Sequence, residues 1–276
     1  MAHIIQKPEE KTEVAIVFYS LIEGAGKNII FEIFSELLSG YTAKFKDTDS
    51  LTSRFNAEMM GKLFCIGDEI KAKAQEVANE LKDIITRKKE VIEFKGKDKI
   101  YIKDYKNYAF TTNNENVFKV DNSDRRFTFI ECPDEKKSNE YFNNLSDFIT
   151  NKDKLTNLFN FFKSRDISNF NPRNIIKNDY KLRLILANAP AYIKFIKDEF
   201  DNYTNQYFTT EHLYKKSIDY AKYNKLNSSY TQDLFNKQFK RVFGDFQKKR
   251  NNKSLYFFPS DSKDILNDCI FNNFLI

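Results

Sequence analysis

Apolar residues fall along this chain in blocks whose period changes repeatedly. Val14 to Phe18 is an uninterrupted apolar run, Leu63 to Ile66 is a second, and Tyr108 to Thr112 is a third with aromatic and β-branched character. Short runs without alternation read as strands buried on both faces, which is how strands of a parallel sheet look. Between them the spacing lengthens. Ile29 to Leu38 is amphipathic at helical period, and from Ala72 to Thr86 the apolar positions 74, 77, 78, 81, 84 and 85 gather on one helical face. A short helix with a glycine break at Gly61 is expected over residues 50–63. Strands alternating with helices predict an α/β domain built on a parallel sheet.

The period then drops to two. Val91 to Lys95 and Ile100 to Lys103 are short β-rich runs around Gly96-Lys97-Asp98-Lys99, a hairpin by turn chemistry. Asp124-Arg125-Arg126 leads into a further strand from Phe127 to Ile130. From about residue 140 to 200 the pattern is helical, interrupted at Asn171-Pro172. The remainder reads helix (Thr210 to Tyr223), helix (Thr231 to Phe243), basic loop (Lys248 to Lys253) and strand (Ser254 to Phe258), an order that suits a winged helix-turn-helix. The expected organisation is therefore an α/β core over 1–135, a helical segment over 136–203, and a winged-helix-like domain over 204–276.

The chain has 276 residues, enough for a full core plus a small second domain. No apolar run approaches the roughly 20 residues that span a bilayer, and the start lacks a signal-peptide layout. The host cytoplasm is the expected location, with no membrane partner. Three cysteines at wide spacing and two histidines argue against a disulfide framework or structural zinc. A net charge of +6 with lysines near aromatics favours a polyanionic partner, although the same residues are AT-rich codon choices.

Glu23-Gly24-Ala25-Gly26-Lys27-Asn28 joins the first predicted strand to the first helix. In such a unit the loop amides and the helix N-terminus converge on an anion, glycines let the backbone approach it, and a lysine adds a point charge. A nucleotide triphosphate is the expected ligand. Two positions depart from G-x-x-x-x-G-K-[ST]: Leu21 replaces the first glycine, and Asn28 replaces the hydroxyl that holds magnesium. The strand ending in Asp68-Glu69 supplies acids where open α/β sheets place their chemistry. Lys27 is suited to neutralise phosphates, Asp68 to hold Mg²⁺ through water, and Glu69 to act as general base. Asn113, at the next strand tip, is suited to orient the water or sense the γ-phosphate. The plainer alternatives are a helix cap for the acids, and a solvated turn for Lys95, Lys97 and Lys99.

In order along the chain, Gln6-Lys7-Pro8, Gly24-Ala25-Gly26-Lys27-Asn28, Phe55-Asn56, Asp68-Glu69, Leu81-Lys82, Lys95-Gly96-Lys97, Thr111-Thr112-Asn113-Asn114 and Asp124-Arg125-Arg126-Phe127 resemble the superfamily 3 helicases, most closely the poxvirus-type and phage-type primase-helicases. The resemblance covers His3 to about Phe200. It implies an AAA+ P-loop ATPase core, ATP and Mg²⁺ between subunits of a homo-hexameric ring, and 3′-to-5′ movement on single-stranded DNA. It assigns Lys27 and Asn28 to the Walker A motif, with Asn28 beside the metal, and Asp68 and Glu69 to Walker B. Asn113 takes the sensor place, with Asn114 adjacent. By the same resemblance Arg126 looks like the arginine finger, with Arg125 second, and Lys95 and Lys97 correspond to the hairpin that grips DNA in the family's central channel.

Lys248, Lys249 and Arg250 of the basic wing are further candidate contacts to forked DNA. The family places a primase or polymerase region ahead of the helicase, so the chain is expected to be a C-terminal part of a longer replication protein, with a monomer as the alternative to the ring when it is isolated. The rival expectation is a DNA-binding or scaffolding module of a primase-polymerase whose nucleotide site has decayed, and Leu21 is the residue that favours it.

Overall fold

The computed structural model describes residues 1–53, 56–70, 75–114, 124–176, 178–187, 189–250 and 253–273. Two compact units divide after Tyr180, with Asp124 counted in the second.

The first unit contains α1 (Ala2–Gln6), β1 (Ala15–Tyr19), α2 (Ile29–Leu37), β2 (Thr42–Phe45), α3 (Thr48–Leu51), β3 (Phe64–Gly67), α4 (Gln75–Thr86), β4 (Lys89–Ile92), β5 (Ile100–Lys103), β6 (Asn107–Thr112), β7 (Phe127–Glu131), α5 (Asn139–Thr150) and α6 (Lys152–Ser164). Five strands form a parallel sheet in the order β2-β3-β6-β1-β7. Every position of β3 and β6 is buried, as their unbroken apolar runs predict, whereas β1 alternates and leaves Ile16 at the surface. On one face Phe31 and Leu38 pack with Ile4, Phe64, Ile66 and Ala109. Fixing α2 and α1 against the sheet in this way holds the loop ahead of α2 over the strand ends.

Sequence pattern missed β2. Four residues, Thr42-Ala43-Lys44-Phe45, on a sheet edge carry too little periodicity to register as a strand. The expected 50–63 helix is instead α3, which begins at Thr48 behind an Asp47 cap, and a single 3₁₀ turn at Ala57–Met59; Arg54 and Phe55 lie outside the described residues.

The hairpin is present but its loop is longer than the turn chemistry predicts, because Ile92 and Ile100 form the last register pair. The side chain of Asn56 explains this: it accepts from the Glu93 amide at 3.0 Å and donates to the Val91 carbonyl at 2.9 Å, drawing that strand away from its partner. Lys95, Lys97 and Lys99 are all exposed on the resulting loop. Lys99 pairs with Glu93 at 2.9 Å, and Lys97 lies 5.8 Å from the Phe94 ring centroid.

Helices α5 and α6 belong with the sheet of the first unit. Phe162 of α6 meets Phe34 of α2 edge-on at 6.2 Å, and Gln6 donates to the carbonyls of Phe162 and Arg165. The helical stretch expected as one segment over 136–203 is therefore divided: its first part packs on α1 and α2, and its last part enters a different core.

The second unit takes up most of α7 (Asp179–Ala187), then α8 (Ala191–Glu199), β8 (Tyr207–Phe208), α9 (Thr210–Tyr223), α10 (Gln232–Phe243), β9 (Gln247–Arg250), β10 (Lys253–Phe257) and α11 (Lys263–Asn273). Thr209 and Thr231 cap α9 and α10 through their hydroxyls. Phe235, Phe239 and Phe243, spaced at i, i+4 and i+8, are fully buried, the first pair stacked at 4.8 Å and the second tilted at 4.7 Å between ring centroids. Strands β8, β10 and β9 form an antiparallel sheet in that order. Lys248, Lys249 and Arg250 therefore lie on the edge strand β9 and not in a loop, because their backbone pairs with β10. Their side chains are exposed, and Arg250 lies 4.7 Å from the Tyr207 ring centroid. No described helix is long and apolar enough to cross a membrane.

Candidate active site

Three strands of the first unit, β1, β3 and β6, end side by side, and the residues just beyond them line one cleft of about 490 Å³. Its wall includes Glu23, Gly24, Ala25, Gly26, Lys27, Asn28, Asp68, Glu69, Thr111, Asn113 and Phe142. Parallel pairing causes the convergence: β1 and β3 both align with β6, so the three chain directions agree and all three C-terminal ends open on one side.

After β1, the Ser20 amide continues the ladder to the Thr112 carbonyl at 3.4 Å before the chain turns away. Gly24 and Gly26 have φ of +78° and +81°, the left-handed region that disfavours side chains. At Gly26 a Cβ would also meet Phe142 at 3.1 Å. Leu21 has no such demand: its φ is not positive, its side chain is 61% exposed, and its amide donates to Asp134 at 3.0 Å. The absent glycine at 21 thus costs the loop no backbone strain. Asp134, which also accepts from Ser20 Oγ at 3.3 Å, was not legible as part of the loop because it comes after β7.

Lys27 Nζ donates to the Ile22 carbonyl at 3.1 Å and to Asn113 Oδ1 at 2.5 Å. Partial burial lowers its pKa from the ordinary lysine value, against the opposing effect of Cys132, Asp68, Asp134 and Glu23. Asn28 Nδ2 reaches Asp68 Oδ1 and Oδ2 at 3.2 and 3.1 Å. Of the two asparagines left open by the sequence, it is Asn113 that meets the lysine.

Asp68-Glu69 leave β3 through a tight turn. A Cβ on Gly67 would lie 2.7 Å from Ile70 and 2.9 Å from Phe110, so only glycine lets Ile70 fold back over the strand end. Glu69 is exposed with φ of +47°. A hard-oxygen set, the Asp68 carboxylate with the Asn28 amide carbonyl within rotation of it, fits Mg²⁺, and amide-rich glycine turns at the start of α2 fit a phosphate.

Arg126 is not in this cleft. Its carbonyl accepts from the Ala15 amide at 2.7 Å, at the opposite end of β1. The five residues of β1 separate the two ends by about 13 Å at the usual strand rise. Arg125 is exposed beside it.

The sequence profile of a family of unknown function, DUF5906, matches residues 18–126, the segment that carries all three strand ends. Over 142 residues the chain is 28% identical to the DNA primase-polymerase of Nitratiruptor phage NrS-1, covering 50% of this chain and 20% of that protein. The chain therefore spans about a fifth of the length of this curated relative. Solved structures of the NrS-1 C-terminal region superpose with TM-scores of 0.63 and 0.64 at 16% and 17% identity, over 92% and 93% of this chain and 68% and 69% of theirs. The chain thus shares the fold of the C-terminal region of a phage primase-polymerase.

Proposed function

We propose that the chain is the ATP-dependent DNA helicase or translocase module of a phage replication protein, acting in the host cytoplasm and hydrolysing ATP between subunits of a ring. The observation that carries this reading is the meeting of Lys27, Asn28, Asp68, Glu69 and Asn113 at one cleft from three separate strand ends. The strand order with β1 between β6 and β7 supports an AAA+ core. In the second unit, the succession of a helix, a short strand, two helices and a hairpin supports a winged helix.

In this mechanism the amides of the Gly24 to Asn28 loop bind the triphosphate, and Lys27 exchanges its present partners for β- and γ-phosphate oxygens. Bound Mg²⁺, held by Asp68 and Asn28, would neutralise charge on those oxygens. Glu69 takes a proton from the attacking water as its oxygen bonds to the γ-phosphorus and the bond to the β-γ bridging oxygen breaks. Asn113, released from Lys27, orients that water. Arg126, remote from its own cleft, serves a neighbouring copy's nucleotide. Lys95, Lys97 and Lys99, and separately Lys248, Lys249 and Arg250, are proposed phosphate contacts to single-stranded or forked DNA.

Subunit mixing tests the ring. Arg126→Ala and Lys27→Ala copies should each be inactive alone and regain ATP turnover when mixed, because some mixed sites hold one intact lysine and one intact arginine. A strict monomer that hydrolyses ATP fully, or mixtures with no recovery, would overturn the shared-site reading.

A further inference from the structure

We infer that Thr111 is the positioning residue of the Asp68-Glu69 turn and thereby sets how strongly the cleft holds a divalent cation; this rests on the nucleotide-hydrolysis reading above. Thr111 is buried at 1% exposure near the end of β6. Its hydroxyl donates to Asp68 Oδ1 at 2.5 Å and accepts from the Glu69 amide at 3.3 Å. Its backbone carbonyl accepts from the Ile70 amide at 3.1 Å. One residue on β6 thus contacts Asp68, Glu69 and Ile70 in succession.

The two oxygens of Asp68 are held differently. Oδ1 accepts from Thr111 Oγ1, from the Glu69 amide at 3.1 Å and from Asn28 at 3.2 Å, whereas Oδ2 accepts from Asn28 at 3.1 Å. A cation approaching Oδ2 therefore meets the Asn28 amide there, and rotation of that amide would offer its carbonyl as a second oxygen ligand. Thr111 fixes the carboxylate plane through Oδ1 and leaves Oδ2 presented to the cleft. It also stabilises the left-handed backbone at Glu69, which a glutamate adopts only when its surroundings hold it there. Two residues further along the same chain, Asn113 holds Lys27. The end of β6 therefore sets both the acid pair, through Thr111, and the lysine, through Asn113.

The test is Mn²⁺ binding, followed by electron paramagnetic resonance, in the presence of a non-hydrolysable ATP analogue. Thr111→Val keeps the shape and removes the hydroxyl, and it should weaken Mn²⁺ binding by about ten-fold or more, the usual effect of losing an outer hydrogen-bond partner of a metal ligand. Thr111→Ser should restore affinity close to that of the parent chain, and binding of the analogue without metal should be unchanged in both. Should the valine variant not fold, Thr111→Ala carries the same expectation. Asp68→Asn, measured alongside, separates the two ways of failing. If it abolishes Mn²⁺ binding while Thr111→Val leaves it at the parent level, the role of Thr111 is overturned and the site stands; if Asp68→Asn has no effect, the nucleotide site itself is wrong and this inference falls with it.

Discussion

The two ends of strand β6 carry charged side chains in opposite states, and the contrast separates structure from chemistry. At its C-terminal end Lys27, Asp68 and Glu69 line an open cleft, held by amide and hydroxyl partners that a ligand can replace. Near its N-terminal end Lys106 is 2% exposed, and it pairs with Glu90 and, at 2.9 Å, with Asp104. Asp104 also meets Lys11 at 2.9 Å, and Arg87 meets Glu90 at 3.0 Å. Lys11 further donates to the carbonyls of Ile84 and Arg87 at the end of α4, tying that helix and the β4-β5 hairpin to the chain ahead of β1. Buried charges require ionic partners, because an unpaired one costs several kcal/mol. A site for an anionic substrate needs the reverse, cations whose partners are neutral and easily exchanged.

Removing charge from the closed end should have the largest effect on stability. Lys106→Met leaves Glu90 and Asp104 short of a partner and should cost about 3 kcal/mol, read as a lower midpoint in urea. The same cluster dictates an acid limb. Burial by itself would raise the pKa of Asp104, but Lys11 and Lys106 overcome it and hold the carboxyl below its ordinary value. A depressed folded pKa contributes stability that is complete above the unfolded value, about 3.9, and is lost as pH falls through the folded one. Urea midpoints of the parent should drop over that acid range, and Asp104→Asn should flatten the drop.

Smaller effects are expected at the glycines of the open end. Gly67→Ala forces a methyl group against Ile70 and Phe110, for about 2 kcal/mol of overpacking; it should also disturb the acid pair. Gly26→Ala meets a strained backbone and Phe142, for about 1 kcal/mol. Lys27→Ala should be smallest, within about 0.5 kcal/mol in the same urea assay, because it removes a lysine held by neutral partners, the Ile22 carbonyl and Asn113, rather than a buried charge pair.

This asymmetry also decided what was legible in the sequence. The cleft is built from strand ends, and a strand end followed by glycines, acids or asparagine is visible as a change of pattern at Lys27, Asp68 and Asn113. The closed end is built from Lys11, Arg87, Glu90, Asp104 and Lys106, which are scattered along the chain among other charged residues, and nothing local marks them as buried. Thr111 was hidden for a related reason: β-branched residues are ordinary in a strand, and its hydroxyl acquires a task only when parallel pairing sets it beside Asp68. Asp134 reaches the loop and Phe142 reaches the cleft from positions past β7, so only the fold connects them to the site. Leu21 is the opposite case: a motif position reserved for glycine marks the loop in the sequence as altered, and the structure shows that its backbone there has no positive φ to demand a glycine.

The most direct test of the nucleotide site is ATP turnover by the parent chain, Lys27→Ala and Glu69→Gln, each measured with and without single-stranded DNA under conditions where the urea assay shows all three folded. The parent should turn over ATP and be stimulated by DNA, turnover should be lost in both variants, and Glu69→Gln should retain nucleotide binding. Equal turnover in the parent and Lys27→Ala, or a folded parent that binds no nucleotide, would contradict the proposed site and return the chain to a DNA-binding or scaffolding role.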